Sequence, residues 1–157
     1  MAVNNKPGPC LLIIFGASGD LTKRKLIPSL YHLHNTKQLP DRFAVMGVSR
    51  TKMSDDDFRE HITEAAREFI KDLDEAKWGA FCKCVHYHAG DSTKAGDYPD
   101  IKQRISQLQA EHDLGCNVLY YLSMAPHLYE PTIDQLGANH MVTEGKSWCS
   151  IDRNNPT

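Results

Sequence analysis

An apolar run that ends at a glycine-rich turn constrains the fold of this chain more than any other stretch. Residues 11–15 read Leu-Leu-Ile-Ile-Phe, and Gly16 and Gly19 follow within four positions. Five apolar residues are too few for a buried helix and are typical of a strand that is covered on both faces. We therefore predict a strand, a tight turn and the start of a helix.

The turn is also a candidate anion site. Glycines allow the backbone to approach a ligand closely, and the first amides of the following helix have no intrahelical acceptor. Together with the positive end of the helix dipole, these amides favour an anion, most often the pyrophosphate of a dinucleotide. The general fingerprint Gly-x-Gly-x-x-Gly is not matched, because Ser18 and Leu21 stand at its second and third glycine positions. On the glycines alone, a turn that binds nothing remains the alternative.

Three further predicted strands continue the alternation of strands and helices. They cover residues 43–48, 84–88 and 118–122. Right-handed crossovers place the second strand beside the first and the fourth on the other side of the first, which gives the order 3-2-1-4. The predicted fold class is α/β, with a Rossmann-like, doubly wound, mainly parallel sheet and helices on both faces. We expect the ligand crevice between the carboxyl ends of strands one and four.

The chain length of 157 residues fits one folded domain. We divide the chain into a flexible N-terminus at 1–9, a dinucleotide-binding domain at 10–137 and a connecting tail at 138–157. The tail lacks a regular pattern, so we expect strand four to be an unpaired edge. A net charge of −2 gives no basic stripe for nucleic acid, and the first ten residues have no apolar core. We expect a cytoplasmic protein that binds neither nucleic acid nor membrane.

Two helices carry specific local predictions. Pro28 removes a backbone donor and disfavours the α region at Ile27, so we predict a kink or a break there. Ser54 is predicted to cap the next helix, and the acids that follow it are interpreted as capping rather than catalytic. The buried stripe of that helix is predicted to consist of Phe58, Ile62, Ala65, Ala66, Phe69 and Leu73.

The cysteines and histidines include candidate ligands for a metal ion. Five cysteines without paired spacing favour reduced thiols over a disulfide framework. The run Cys82-Lys83-Cys84-Val85-His86-Tyr87-His88 would place four candidate zinc ligands on one face of a strand. Ligands two residues apart on one strand seldom close a tetrahedral site without a partner element. We therefore favour ordinary packing and predict no metal site.

The end of the second strand indicates which cofactor is bound. An NAD enzyme usually places Asp or Glu there to hold the ribose 2′-hydroxyl, whereas this chain has Ser49-Arg50-Thr51-Lys52. A carboxylate would repel a 2′-phosphate, whereas a guanidinium can hold it with two charge-assisted hydrogen bonds. Arg50 therefore predicts NADP.

Two later stretches supply further candidates with open alternatives. The third strand ends at Asp91-Ser92, in a loop that borders the crevice of an open parallel sheet. Asp91 is equally a candidate for capping a helix or closing a turn. Tyr121, in the fourth strand, is placed either at the crevice or in the core.

The turn and the helix after it carry a longer signature, Phe-Gly-Ala-Ser-Gly-Asp-Leu-Thr-Lys-Arg-Lys-Leu-Ile-Pro-Ser-Leu-Tyr, at residues 15–31. This signature resembles the nucleotide-binding motif of the glucose-6-phosphate dehydrogenase family. The similarity continues through 47–50, 73–78 and 117–126, although Ala125 replaces the first of two prolines. Lys25, otherwise a solvated helix residue, is implied by the resemblance to bind the sugar substrate. The turn chemistry and the resemblance together give these cofactor-binding candidates: Gly16, Ala17, Ser18, Gly19, Asp20, Leu21, Thr22, Lys23, Arg50, Asp91, Ser92 and Tyr121.

The resemblance implies an NADP-dependent oxidoreductase of the pentose phosphate pathway. Members of the family oxidise glucose 6-phosphate to 6-phosphogluconolactone by hydride transfer to NADP. The segments that carry the family's sugar-phosphate lysine and catalytic histidine are not found in these 157 residues, so we assign no catalytic residue and expect the isolated chain to be inactive. The resemblance implies that the tail at 138–157 is truncated before a substrate domain. Glucose 6-phosphate binding is therefore expected only with that missing domain, and the full-length form is expected to be a homo-oligomer. The alternative is a standalone NADP-binding sensor or accessory subunit without catalysis.

Overall fold

A parallel β-sheet forms the centre of the molecule in a computed structural model, which describes residues 8–141 and 150–151. Its strands within these residues are β1 (Cys10–Phe15), β2 (Phe43–Ser49), β3 (Val85–Ala89), β4 (Asn117–Leu122) and β5 (Ser150–Ile151). The strand order is β3-β2-β1-β4-β5, and every pairing is parallel. The α/β class and the predicted order 3-2-1-4 are confirmed.

Helices cover both faces of the sheet. They are α1 (Ile27–Asn35), α2 (Asp55–Phe69), α3 (Glu75–Cys82), α4 (Tyr98–Glu111) and α5 (Tyr129–Ala138). Alternate residues of β1 divide the interior into two cores, because successive side chains of a strand point to opposite faces. Leu12 and Ile14 pack with residues of α1, α2 and α3. Leu11, Ile13 and Phe15 pack with residues of α4 and α5, so the doubly wound arrangement is confirmed.

The register of the central strands aligns their carboxyl ends. Phe15 of β1 lies opposite Val48 of β2 on one side and Leu122 of β4 on the other. All six residues of β1 are buried, as expected for a strand paired on both edges and covered on both faces. The loops that leave these three strands therefore meet at one edge of the sheet.

The helix after β1 contains a π-helical turn that the sequence did not predict. Thr22–Leu26 forms a π-helical segment, in which the Ile27 amide donates to the Thr22 carbonyl, and α1 follows without interruption. The hydrogen-bonding register changes just before Ile27, but the predicted break is not present, because the helix continues. The backbone prediction was wrong, because Ile27 keeps α-helical angles of φ −63° and ψ −45°. Pro28 follows this segment directly, so the change of register lies where the proline supplies no amide donor to the helix.

The second helix is shorter than the predicted buried stripe. Ser54 caps α2 as predicted: its side chain accepts a hydrogen bond from the Asp57 amide, and Asp57 returns one to the Ser54 amide. The helix ends at Phe69 because Ile70 adopts an extended conformation. Leu73 reaches the core from the following loop, and Phe69 is 39% exposed, so these two positions were wrongly assigned to the stripe.

The outer edge of β3 is covered by side chains of α2. Asp55 accepts a hydrogen bond of 2.8 Å from the Tyr87 amide, and Arg59 donates one of 2.8 Å to the Val85 carbonyl. Hydrogen bonds to His86 and Tyr87 and the charge of Arg104 hold the pKa of Asp55 at about 2, against the opposing effect of its burial. Asp55 is therefore more than the helix-capping acid that the sequence indicated.

The structure corrects two further expectations from the sequence. Ser150 and Ile151 form β5, which pairs with Asn117 and Val118, so β4 is not an unpaired edge at its amino end. A two-residue strand has too little pattern to be recognised in the sequence. Cys116 is disulfide-bonded, in contrast to the expected reduced thiols, whereas Cys10, Cys82 and Cys84 are reduced thiols as expected. The rest of the predicted tail, apart from 138–141, and residues 1–7 of the predicted flexible N-terminus lie outside the described residues.

Candidate functional site

A cleft of about 690 Å³ opens at the carboxyl ends of the central strands. This is the point at which the strand order reverses, where open α/β sheets bind ligands. Loops after β1, β2, β3 and β4 all contribute to its walls. The lining residues are Gly16, Ser18, Gly19, Val48, Ser49, Arg50, Thr51, Gly90, Asp91, Ser92, Thr93, Ser123, Met124, Ala125, His127 and Leu128.

The turn after β1 is held by the ends of both neighbouring strands. Gly16 has φ +88°, and its amide donates to the Val48 carbonyl at 2.8 Å. The Ser123 amide donates to the Phe15 carbonyl at 2.7 Å, which ties the end of β4 to the same turn. A Cβ atom on Gly16 would lie 2.1 Å from the Ser123 carbonyl oxygen. Only glycine fits here, because both the backbone angle and the space exclude a side chain.

The backbone amides of the turn are only partly available to an anion. Ala17 donates to the Val48 carbonyl and Gly19 donates to the Gly16 carbonyl, so both amides are engaged within the protein. The Ser18 amide has no acceptor within residues 8–141 and 150–151, and Ser18 lines the cleft. An unsatisfied amide beside the start of a helix is a donor for a phosphate oxygen.

A buried hydroxyl pair fixes the helix behind the turn. Thr22 is fully buried, and its Oγ1 lies 2.9 Å from the Oγ of Ser123. The same Thr22 hydroxyl donates to the Gly16 carbonyl at 3.3 Å. Thr22 thus links the π-helical segment to the ends of β1 and β4, and its contacts position the turn.

The turn after β2 presents its cation to solvent. Arg50 is exposed, and its side chain makes no hydrogen bond or ion pair with any other described residue. Tyr87, on β3, anchors the backbone on both sides of it: its hydroxyl contacts the Ser49 hydroxyl and donates to the Thr51 carbonyl. The guanidinium is therefore free to bind a ligand, while the loop that carries it is held.

A second cavity of about 390 Å³ adjoins the cleft, and Arg50, Gly90 and Asp91 line both. Its other cations are Lys52 and Lys94, and His88 lies on its wall. Burial lowers the pKa of His88, which favours the neutral ring. The cavity also has carboxylates at Asp91, Asp97 and Asp100.

The loop after β3 uses its carboxylates for its own structure. Asp91 accepts hydrogen bonds from the amide and the hydroxyl of Thr93, and the Asp91 amide donates to Asp97. The hydrogen bond from the Thr93 hydroxyl is the main cause of the lowered pKa of Asp91, and the nearby charge of Arg50 contributes. Ser92 is buried, and its hydroxyl lies 2.8 Å from that of Thr132. Asp91 therefore closes a turn at the rim of the cleft.

The predicted residues divide into two groups by position. Those that line the cleft are Gly16, Ser18, Gly19, Arg50, Asp91 and Ser92. The side chain of Ala17 is buried in the core, Asp20 pairs with Arg24, and Tyr121 is 40% exposed on β4. The candidates that are not among the lining residues are Ala17, Asp20, Leu21, Thr22, Lys23, Lys25 and Tyr121.

Several lining residues lay beyond sequence reasoning. Lys94 lies in the loop after β3, and its proximity to Arg50 depends on the pairing of β2 with β3. Ser123 closes the first turn from β4, more than one hundred residues away in the chain. Ser123 could have been found from its position immediately after a predicted strand, since the carboxyl ends of parallel strands share one edge, whereas Lys94 lies six residues beyond the predicted third strand and carries no such signal.

Comparison with known proteins gives consistent results. The model of the family "Glucose-6-phosphate dehydrogenase, NAD binding domain" matches residues 13–151. The chain is 38% identical to the glucose-6-phosphate 1-dehydrogenase of Aggregatibacter actinomycetemcomitans over 88% of this chain and 28% of that protein. It is 33% identical to the enzyme of Bacillus subtilis, over 96% of this chain and 30% of that protein. It therefore spans less than a third of these relatives.

Solved structures agree with the sequence relatives. A glucose-6-phosphate dehydrogenase in complex with its substrate glucose-6-phosphate superposes with a TM-score of 0.75 and 30% identity, over 94% of this chain and 30% of that one. The enzyme from Mycobacterium avium superposes with a TM-score of 0.70 and 28% identity, over 83% of this chain and 27% of that one. The carboxyl-end cleft, the glycine turn and these similarities show that the chain belongs to the glucose-6-phosphate dehydrogenase family, within its nucleotide-binding domain.

Proposed function

We propose that this chain is the NADP-binding part of an enzyme that oxidises glucose 6-phosphate. Family membership supports a nucleotide site, and Arg50 at the end of β2, exposed and without an ion pair to any described residue, supports NADP over NAD. NADP supplies the ring that accepts a hydride, and the protein supplies binding and orientation. The cleft volume of about 690 Å³ lies in the range of natural cofactor sites.

Each wall of the cleft suits a different part of the cofactor. The Ser18 amide and the start of the helix after β1 would hold the pyrophosphate. Arg50 would hold the 2′-phosphate, with Lys52 and Lys94 adding positive charge from the adjoining cavity. The residues after β4, Met124 and Ala125, would border the nicotinamide half.

The carboxylates near Arg50 do not remove the preference for NADP. Asp91 accepts hydrogen bonds from Thr93 and Asp97 accepts one from the Asp91 amide, so each carboxylate uses one oxygen to hold its own loop. The residues that follow β2 directly are Arg50, Thr51 and Lys52, and none of them can accept from a ribose 2′-hydroxyl as a carboxylate would. Arg50 is the single observation that carries the proposal of NADP.

The proposal is tested by titrating NADP and NAD against wild type and Arg50→Ala in a calorimeter. Loss of a charge-assisted bidentate contact costs about 1.5–3 kcal/mol, so NADP should bind roughly ten- to a hundredfold more weakly to the variant. NAD affinity should change far less, because NAD has no 2′-phosphate.

Arg42→Ala is the matched control. Arg42 is also an exposed arginine beside β2, but it lies before the amino end of the strand and pairs with Asp113. This variant removes the same charge and should leave both affinities unchanged. Equal losses for NADP and NAD in Arg50→Ala, or tighter binding of NAD than NADP by wild type, would contradict the proposal.

Three further proposals follow the family resemblance. We propose that the full-length form is cytoplasmic and homo-oligomeric, and that sugar oxidation requires residues beyond these 157. Among the described helices, none is long and apolar enough to cross a bilayer. Production of NADPH from NADP and glucose 6-phosphate, followed by absorbance, should be absent with the 157-residue chain.

A further inference from the structure

Two histidines meet where β3 packs against the end of α4. His86, on β3, is only 4% exposed, and its Nε2 atom lies 2.8 Å from the Nε2 of His112, which follows the last residue of α4. Two imidazole nitrogens that face each other at this distance share one proton or bind one ion. Neither histidine lines the nucleotide cleft.

A carboxylate completes the group. Glu111 places an Oε2 atom 3.2 Å from the Nε2 of His112 and 3.9 Å from the Nε2 of His86. Zinc bonds of about 2.0–2.1 Å at tetrahedral angles separate neighbouring ligand atoms by roughly 3.4 Å. The three observed separations, 2.8, 3.2 and 3.9 Å, lie on either side of that value, so small side-chain movements would bring the three atoms onto one ion.

A second carboxylate orients the buried histidine. The Nδ1 atom of His86 lies 3.2 Å from Asp55, and Arg104 holds the same Asp55 oxygen at 2.7 Å. A proton on Nδ1 that is donated to Asp55 leaves Nε2 bare and facing His112. Histidines that bind metals commonly donate their other nitrogen to a carboxylate in this way.

The surrounding charges permit a cation. Arg59 places a guanidinium nitrogen 3.3 Å from the Nδ1 of His86, but this guanidinium also donates to the Val85 carbonyl at 2.8 Å, which leaves Nδ1 to donate to the Asp55 carboxylate. Arg104 is paired with Asp55, and Arg59 is also paired with Asp56. The negative end of the α4 dipole points at the site, and Glu111 adds a full negative charge.

We propose that His86, His112 and Glu111 bind one Zn²⁺ ion through two imidazole nitrogens and one carboxylate, with water as the fourth ligand. The donor set matches the chemistry of zinc, and sites with three protein ligands keep one open position. Glu111 is more than half exposed, so the ion has a path from solvent. The bound ion would join the carboxyl end of α4 to the outermost strand of the sheet.

The test is calorimetric titration of Zn²⁺ into the purified chain, together with its thermal unfolding. Wild type should bind one Zn²⁺ and unfold at higher temperature with the ion. Glu111→Gln and His112→Gln should each weaken binding at least tenfold and abolish the thermal shift. Glu111 lies at the surface, so its variant reports on the site even where His112→Gln fails to fold.

Two matched variants separate this site from other zinc ligands. His32→Ala removes an exposed histidine of α1, and Cys82→Ser removes a thiol near the start of β3; both should bind Zn²⁺ as wild type does. Absence of Zn²⁺ binding by wild type would overturn the proposal. Undiminished binding by Glu111→Gln and His112→Gln, or loss of binding in Cys82→Ser, would do the same.

Discussion

The turns after β1 and β2 both border the cleft, but their polar groups face in opposite directions. The first is closed inward: Gly16 lies against the Ser123 carbonyl, and the buried hydroxyls of Thr22 and Ser123 meet behind it. The second is anchored through Tyr87, while its charged group, Arg50, extends into solvent.

Under the proposed function, this difference separates two tasks within one site. A phosphate cradle must have its amides placed before the ligand arrives, because ordering them during binding would weaken affinity. A residue that distinguishes two cofactors needs only an unpaired charge at the correct edge of the sheet. Variants of the first turn should therefore change stability, and variants of the second should change affinity.

The largest effect is expected from Gly16→Ala. The added Cβ would lie 2.1 Å from the Ser123 carbonyl oxygen, and the residue would keep a positive φ. Overpacking and backbone strain together should lower the free energy of unfolding by about 3 kcal/mol, measured by urea denaturation. Gly79→Ala is the control: Gly79 lies in α3 with no atom near an added Cβ, so this change should stabilise by about 0.5–1 kcal/mol. A Gly16→Ala protein as stable as wild type would show that the close contact between Gly16 and the Ser123 carbonyl does not require glycine.

Thr22→Val should have the next largest effect. Valine keeps the shape of threonine but leaves the buried Ser123 hydroxyl without its partner. The free energy of unfolding should fall by about 1–3 kcal/mol in the same urea assay. Thr36→Val removes a hydroxyl at the exposed end of α1 and should change stability by about 0.5 kcal/mol or less. Equal losses in the two variants would show that the hydroxyl pair does not secure the turn.

Tyr87→Phe tests the anchor of the second turn. Loss of the hydroxyl contacts with Ser49 and Thr51 should cost about 0.5–1.5 kcal/mol of unfolding free energy. We also expect NADP to bind a few-fold more weakly, because the loop that carries Arg50 becomes less ordered. Tyr129→Phe, at a partly exposed tyrosine of α5, should change neither quantity. Unchanged stability and affinity in Tyr87→Phe would show that the Tyr87 hydroxyl does not order the loop that carries Arg50.

The smallest effect on stability is expected from Arg50→Ala. Its guanidinium is exposed and unpaired among the described residues, so the free energy of unfolding should change by about 0.5 kcal/mol or less. The same variant should show the selective loss of NADP affinity described above. A loss of stability beyond 1 kcal/mol in chemical denaturation would show that Arg50 supports the fold, and the contrast between the turns would fail.

The sequence predicted the features that depend on local pattern. Continuous apolar residues identified β1 and β2, and the crossover rule then fixed their order. Arg50 was recognisable because it directly follows a predicted strand. The capping role of Ser54 also depends on neighbours within one helical turn.

Features that depend on distant partners were beyond the sequence. The hydroxyl contact of Thr22 with Ser123 joins the π-helical segment Thr22–Leu26 to the end of β4, and no local propensity encodes it. In the sequence, the candidate metal ligands near His86 are its neighbours along β3. In the structure, His86 contacts Asp55 at the start of α2 and His112 at the end of α4. The relation of such residues becomes visible only when the helices are placed on the sheet.

The side chains that cover β3 have a consequence for how the sheet can grow. Asp55 and Arg59 occupy an amide and a carbonyl that an incoming strand would need, and they carry charges that such a strand would have to displace. On the opposite side, β4 is paired by β5 at Asn117 and Val118 only, as far as the described residues show. An additional strand, from this chain or another, would therefore pair more readily beside β4 than beside β3, where it would have to displace Asp55 and Arg59.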